Sequence, residues 1–182
     1  EFITIATVRP ETLFSDVAVA VNPKDKRYSD LIGKKVIVPF VGREVPIIGD
    51  ELIDMKLGSG ALKVDPAHSL VDFEIGKKHN LEIIPVIGKD GRLNEKAGPY
   101  AGLKIMDARQ KVAEDMRAKG LLEKVDENYI HNIAVCYKCA NAVEPLVIPQ
   151  WFVEMKPLAE PAIKAVSQGE IKFIPDRFKK VY

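Results

Sequence analysis

The sequence predicts an α+β fold, a barrel or mixed sheet of short strands with helices packed outside it, and three observations carry that expectation. Seven short runs, many rich in Val and Ile, are separated by turn residues. Two stretches in the second half change to helical spacing. At 182 residues and 47% hydrophobic content the chain can bury a real core. The strands are expected over 2–8, 17–21, 35–40, 45–48, 61–64, 83–87 and 129–135. One helix is expected over 108–119, where Ala108, Val112, Ala113 and Met116 recur on one face after Asp107, and Gly120 ends it. A second is expected over 157–167, with Pro157 near its start, Leu158, Ala162, Ile163 and Val166 on one face, and Gly169 beyond. Gly88-Lys89-Asp90-Gly91 and the segment 94–98 read as turns, and no internal repeat is visible.

Composition narrows the function classes. The 27 basic and 26 acidic side chains nearly balance, so no global field draws the chain to nucleic acid or an anionic membrane, and any RNA contact must be local. Charge or proline interrupts the long apolar runs, and the first residues carry neither a basic leader nor a signal core, so the expectation is a cytoplasmic protein with no membrane partner. Glu1 opens directly into a strand-like run, which reads as a piece cut from something larger. A core over 1–128 and a remainder over 129–182, which holds a Cys-x-x-Cys element, are expected.

The richest stretch runs from Gly58 to His79. Lys63 and Asp65 lie two apart in an extended segment and so share a face, while Ser69 and Asp72 follow Pro66, where the chain turns into a helix. A small polar pocket is the expected product. Ser69 and Asp72 also have the form of a capping box, which needs no ligand and is compatible with one. His68 is a candidate base, although a histidine in such a turn more often bonds locally. Gly58 and Gly60 lack the Gly-Lys-Ser/Thr ending of a phosphate loop and read instead as points of close backbone approach.

Two further motifs bear chemistry. Thr7-Val8-Arg9-Pro10-Glu11-Thr12 sets two hydroxyls and a planar cation beside a proline. Arg9 there either grips a phosphate or carboxylate or pairs with Glu11. Cys136-Tyr137-Lys138-Cys139 supplies half of a tetrahedral zinc site, and a complete one requires ligands from outside this chain; a redox role and a ligand role for His131 are weaker readings.

Thr7 to Thr12, Ala18-Val19-Ala20-Val21-Asn22-Pro23, Gly58 to Gly76 and Ile148-Pro149-Gln150-Trp151-Phe152, in that order and spacing, resemble the editing domain inserted in valyl-tRNA synthetase. The likeness covers essentially the whole chain, and the inserts of isoleucyl- and leucyl-tRNA synthetases are related. It implies a mixed β-barrel with peripheral helices and post-transfer hydrolysis of threonyl-tRNA(Val), without a cofactor for the editing step. The implied partners are the aminoacylated end of tRNA(Val) and the remaining domains of the parent enzyme. A second site is needed because a valine pocket rejects threonine by only ~10², a limit for which valyl-tRNA synthetase is itself the standard worked case.

By the same resemblance Asp72 holds the substrate ammonium and Lys63, Thr7 and Arg9 line the pocket near the aminoacyl ester and terminal adenosine; the motifs themselves add Asp65 to the catalytic candidates and Thr12, His68 and Ser69 to the substrate-binding ones. The family commonly has threonine where Asp65 stands and aspartate where Ser69 stands, so a carboxylate and a hydroxyl have exchanged places; Asp65 is then expected to accept the threonine hydroxyl proton. Asp65 is also placed to pair with Lys63 along the strand. Leu57 replaces a frequent phenylalanine. The ATP-site motifs of the parent class are missing, so this chain cannot aminoacylate. The alternative is a non-catalytic module that binds an RNA end or a zinc-bridged partner.

Overall fold

The computed structural model describes residues 2–181. They divide into two compact units between Val147 and Ile148. The first is built on a four-stranded mixed sheet, β1 (Ala18–Val21), β2 (Lys35–Ile37), β3 (Glu44–Gly49) and β4 (Ala61–Val64), in the order β2-β3-β1-β4. β1 runs parallel to β3, with Val19 opposite Ile47, and antiparallel to β4, with Val19 opposite Lys63. β2 and β3 are antiparallel, Val36 facing Val45. The sheet is open, with β2 and β4 as its edges, so the expected barrel is corrected to a mixed α+β arrangement around an open sheet.

Burial explains the order. All four residues of Ala18-Val19-Ala20-Val21 are buried, the continuous apolar run of a strand covered on both faces. Ala18, Ala20 and Val64 pack against Ile53 and Ile75 on one side, while Val19, Val21, Ile47 and Ala61 form a cluster on the other. A further core gathers Phe14, Val17, Val86, Leu93, Tyr100, Ala108 and Val112 beneath α2 (Ile105–Ala118). The expected helix over 108–119 is therefore present and starts three residues earlier, which places Asp107 in its first turn at the positive end of the helix dipole. α1 (Leu70–Lys78) starts at the Ser69 cap, and it lies so close to the preceding turn that a Cβ on Gly76 would stand 2.8 Å from Pro66 Cγ.

Three expected strands do not form. In 2–8 the alternation survives, with Ile3 and Ile5 half-buried against the Val19 cluster, but no strand pairs with it among the described residues. In 83–87 Pro85 has no N–H, and the N–H groups of Val86 and Ile87 are spent on His68 Nε2, leaving a lone bridge from Ile87 to Leu93. In 129–135 pairing is limited to Val135 with Ala142 across the cysteine hairpin. The glycine expectation holds at Gly58, whose φ is +58° and where a Cβ would stand 2.6 Å from Ala6 Cβ.

The second unit contains α3 (Met155–Ser167), which begins two residues before the expected start and keeps Pro157 in its first turn. Val166 is its buried residue, and Trp151 and Phe152 are exposed. Among the described residues no helix is long and apolar enough to cross a membrane.

One ionic cluster locks α1 to the sheet. Asp50, just past β3 and 1% exposed, accepts from Lys78 Nζ at 2.9 Å and pairs with His79 Nε2 at 2.8 Å. Burial opposes its charge, but the Leu52 N–H, Lys78 and His79 outweigh that and hold its carboxyl at about 2. A carboxyl depressed from the ordinary 3.8 stabilises the fold above pH 4 and loses that contribution as pH falls toward 2. The loss is expected to be at most about 2 kcal/mol. Urea titrations from pH 5 to 2 should show the slope in wild type and a flatter one in Asp50→Asn.

Candidate active site

The sharpest feature of the first unit is a buried charged cluster where β4, the 3-10 helix Pro10–Ser15 and the start of α1 meet. Lys63 projects from β4 and its Nζ donates to Asp16 Oδ1 at 2.7 Å and to Thr12 Oγ1 at 2.8 Å. The Thr12 hydroxyl donates in turn to the Arg9 carbonyl at 3.2 Å. Pro10 starts the 3-10 helix and fixes its direction, which brings Thr12 and Asp16 to the same cation. Asp72 Oδ2 accepts the Asp65 N–H at 2.9 Å, and the Asp72 N–H donates to Ser69 Oγ at 3.3 Å. The capping box is thus half made: Ser69 caps the helix, while the Asp72 carboxylate bonds to Asp65 rather than back to Ser69.

Asp65 is 2% exposed, and its Oδ1 is a buried acceptor without a partner among the described residues. The pairing of Asp65 with Lys63 considered from the sequence is not made: the Lys63 ion pair goes to Asp16. Among the described residues one ammonium, Lys63, faces three buried carboxylates, Asp16, Asp65 and Asp72. Burial opposes the Lys63 charge, but these carboxylates outweigh it and keep its pKa above the ordinary value. Burial pushes the Asp16 carboxyl up to about 7 against the pull of Lys63, with Asp65 and Asp72 adding to the rise. Burial raises Asp72 as well.

His68 follows the Asp65-Pro66-Ala67 turn and is 2% exposed. Its Nε2 accepts from the N–H groups of Val86 at 2.9 Å and Ile87 at 3.3 Å, so the ring's proton belongs on Nδ1. Burial lowers the pKa of the ring. With Nε2 so occupied and Nδ1 buried without a partner among the described residues, the imidazole is a brace between two loops and a poor general base.

Arg9 lies at the rim of the cluster. Its Nε donates to Glu11 Oε1 at 3.1 Å, its Nη1 to the His68 carbonyl at 3.3 Å and its Nη2 to Glu144 Oε2 at 2.5 Å. Glu11 is fully buried and is also gripped by Arg109 through two bonds of 2.8 and 2.9 Å. Thr7 is exposed and its Oγ1 accepts the Arg9 N–H at 3.0 Å, outside the charged cluster itself. Lys63, Asp65, Asp72, Thr12 and Ser69 are therefore brought together, with His68 and Arg9 bracing them. The pairing of Arg9 with Glu11 read from the motif is made, while Asp16, Arg109 and Glu144 are the members that sequence reasoning missed, and nothing in local spacing marks those three.

The cysteine pair sits apart, on a hairpin in which the Cys136 N–H donates to the Asn141 carbonyl at 2.8 Å. The backbone N–H groups of Cys139 and Lys138, with the Cys139 side chain, draw the Cys136 thiol below its usual pKa, a donor set suited to a metal-bound thiolate. Two sulfurs are half a site, and among the described residues no group of three or more His, Cys, Asp or Glu is placed to hold a metal.

The family model described as leucyl-tRNA synthetase, editing domain, matches residues 23–117. A valine–tRNA ligase of Petrotoga mobilis is 51% identical over 181 residues, covering 100% of this chain and 21% of the relative. One from Chlorobaculum tepidum is 52% identical over 180 residues, covering 99% of this chain and 20% of the relative. The chain thus spans about a fifth of the length of these curated relatives. The crystal structure of GlLeuRS-CP1 shares the fold with a TM-score of 0.56 at 15% identity, covering 69% of this chain and 83% of that one. By its matched family model and by whole-length similarity to valine–tRNA ligases, the chain belongs to the aminoacyl-tRNA synthetase editing-domain family.

Proposed function

We propose that this chain is the proofreading unit of a valine–tRNA ligase and hydrolyses the ester of threonyl-tRNA(Val) after transfer. The observation that carries the reading is the inventory of the buried cluster: three carboxyl groups share one lysine, and burial raises the pKa of two of them, Asp16 and Asp72. Such a cluster is costly without a further cation, and the α-ammonium of an aminoacyl ester supplies one. Asp72, with Oδ2 fixed by the Asp65 N–H, is the acceptor for that ammonium. The unpartnered Asp65 Oδ1 is suited to accept the β-hydroxyl proton of threonine. Valine offers a methyl there and leaves the acceptor unpaired, at a cost of about 1 to 3 kcal/mol. Two protons of the Lys63 ammonium are spent on Asp16 and Thr12, and the third is available to the ester carbonyl as negative charge develops on its oxygen.

In the reaction a water oxygen attacks the ester carbonyl carbon and the bond to the ribose oxygen breaks. The tRNA leaves with its hydroxyl restored, and the amino acid leaves as its carboxylate with one proton released. Protein groups orient and stabilise here, and the reaction needs no dedicated base. The test is deacylation of threonyl-tRNA(Val) beside valyl-tRNA(Val) by a full-length ligase carrying this chain; equal clearance of both esters would sink the assignment. In the same full-length protein, zinc is proposed to bind Cys136 and Cys139 together with ligands from outside this chain, and metal content unchanged by Cys136→Ser would refute it.

A further inference from the structure

The hairpin that carries the cysteine pair is joined to the charged pocket through one carboxylate. Its two arms close with the Val143 N–H donating to the Ala134 carbonyl at 2.9 Å, and the next residue is Glu144. Glu144 takes the Nη2 end of Arg9, while the Nε side of that guanidinium rests on buried Glu11 and Nη1 reaches the His68 carbonyl. His68 closes the turn that begins at Asp65, its N–H donating to the Asp65 carbonyl at 3.3 Å. In the Arg9, Arg109, Glu11, Glu144 quartet two cations balance two carboxylates, so loss of Glu144 leaves a surplus cation and frees Arg9 to leave the His68 carbonyl. The Arg9 and Glu144 side chains are 25% and 24% exposed, so solvent screens the pair in part and its contribution to global stability lies below that of a fully buried pair.

We propose that Glu144 is a positioning residue for deacylation: it holds Arg9 on the His68 carbonyl, and so couples the Cys136–Cys139 hairpin to the turn that carries Asp65 and Asp72. The coupling rests on the proofreading reading and adds to it a route from the hairpin to the pocket. A purely structural pair would change melting temperature or nothing, whereas a positioning pair changes kcat with KM and melting temperature preserved.

The test uses the full-length ligase carrying this chain. Glu144→Ala is expected to lower kcat for threonyl-ester hydrolysis about tenfold at unchanged KM, with Glu144→Gln in between. Hydrogen exchange should quicken across residues 65–72 while the melting temperature stays put. Cys136→Ser combined with Cys139→Ser should also slow the reaction, and should slow it no further in the Glu144→Ala background, since both act through one link. An unchanged kcat in Glu144→Ala, or effects of the cysteine and glutamate variants that multiply, would overturn the coupling. A wild-type enzyme that clears no threonyl-tRNA would overturn the proofreading reading and this inference together; an active wild type with an inert Glu144 variant overturns this inference alone.

Discussion

Asp72→Ala is expected to abolish clearance of threonyl-tRNA(Val) while leaving aminoacylation in the parent ligase intact. Asp72 is 6% exposed and does two things at once, accepting the Asp65 N–H and setting a carboxyl beside Lys63 in the buried cluster. Breaking a buried charge pair costs about 3 to 5 kcal/mol, which corresponds to a rate loss on the order of 10² to 10³ or more. The alanine also strands the Asp65 N–H, so Asp72→Asn separates the two roles: its amide oxygen keeps the bond to Asp65 and its charge is gone. Single-turnover deacylation should show both variants severely impaired if ammonium binding dominates. Near-normal rates in Asp72→Asn would assign the residue to turn geometry alone.

Lys63→Ala carries the largest expected effect on stability. Lys63 lies between Asp16 and Thr12, and its removal leaves the Asp16 carboxyl buried without its cation. The cost at neutral pH is expected to be about 3 kcal/mol, the low end for a broken buried pair, because Asp16 can take a proton instead. That escape has a sign. The Asp16 pKa already stands at about 7 with Lys63 present, and losing the lysine raises it further. A carboxyl raised above its unfolded value of 3.8 favours the folded state most below pH 4, and that contribution drains away as pH rises toward the folded pKa. Lys63→Ala should therefore lose more stability at pH 8 than at pH 5, read as midpoints in urea, and Asp16→Asn added to it should remove the difference. Equal losses at both pH values would mean that Asp16 is not the residue left uncompensated.

Much of this was legible in the chain because it is local. The 17–21 run reads as a strand, the Ser69 cap reads as a helix start, and Lys63 and Asp65 share a face by the period of a strand. Phe2 to Val8 and the 83–87 run have strand composition, but a strand also needs a neighbour with free N–H and carbonyl groups. His68 Nε2 takes the N–H groups of Val86 and Ile87, a contact across nearly twenty residues that composition does not register. Barrel closure failed as an expectation for a similar reason, since the number of short β runs says nothing about which edges meet. In the pocket, the residues missed are those whose partners are distant: Asp16 meets Lys63 across 47 residues and Arg109 meets Glu11 across 98. Isolated charges at such separations look like solvated surface until the fold brings them together.

On the proposed reading the buried cluster selects an aminoacyl ester by its ammonium and its β-hydroxyl. The most direct measurement is the hydrolysis rate of threonyl-tRNA(Val) against valyl-tRNA(Val) under single-turnover conditions, in a full-length ligase carrying this chain with Asp65 intact and with Asp65→Ala. Rapid loss of the threonyl ester, persistence of the valyl ester and collapse of that preference in Asp65→Ala are the predicted result. Full selectivity retained in Asp65→Ala would contradict it, because the unpartnered Asp65 oxygen would then have no part in reading the substrate.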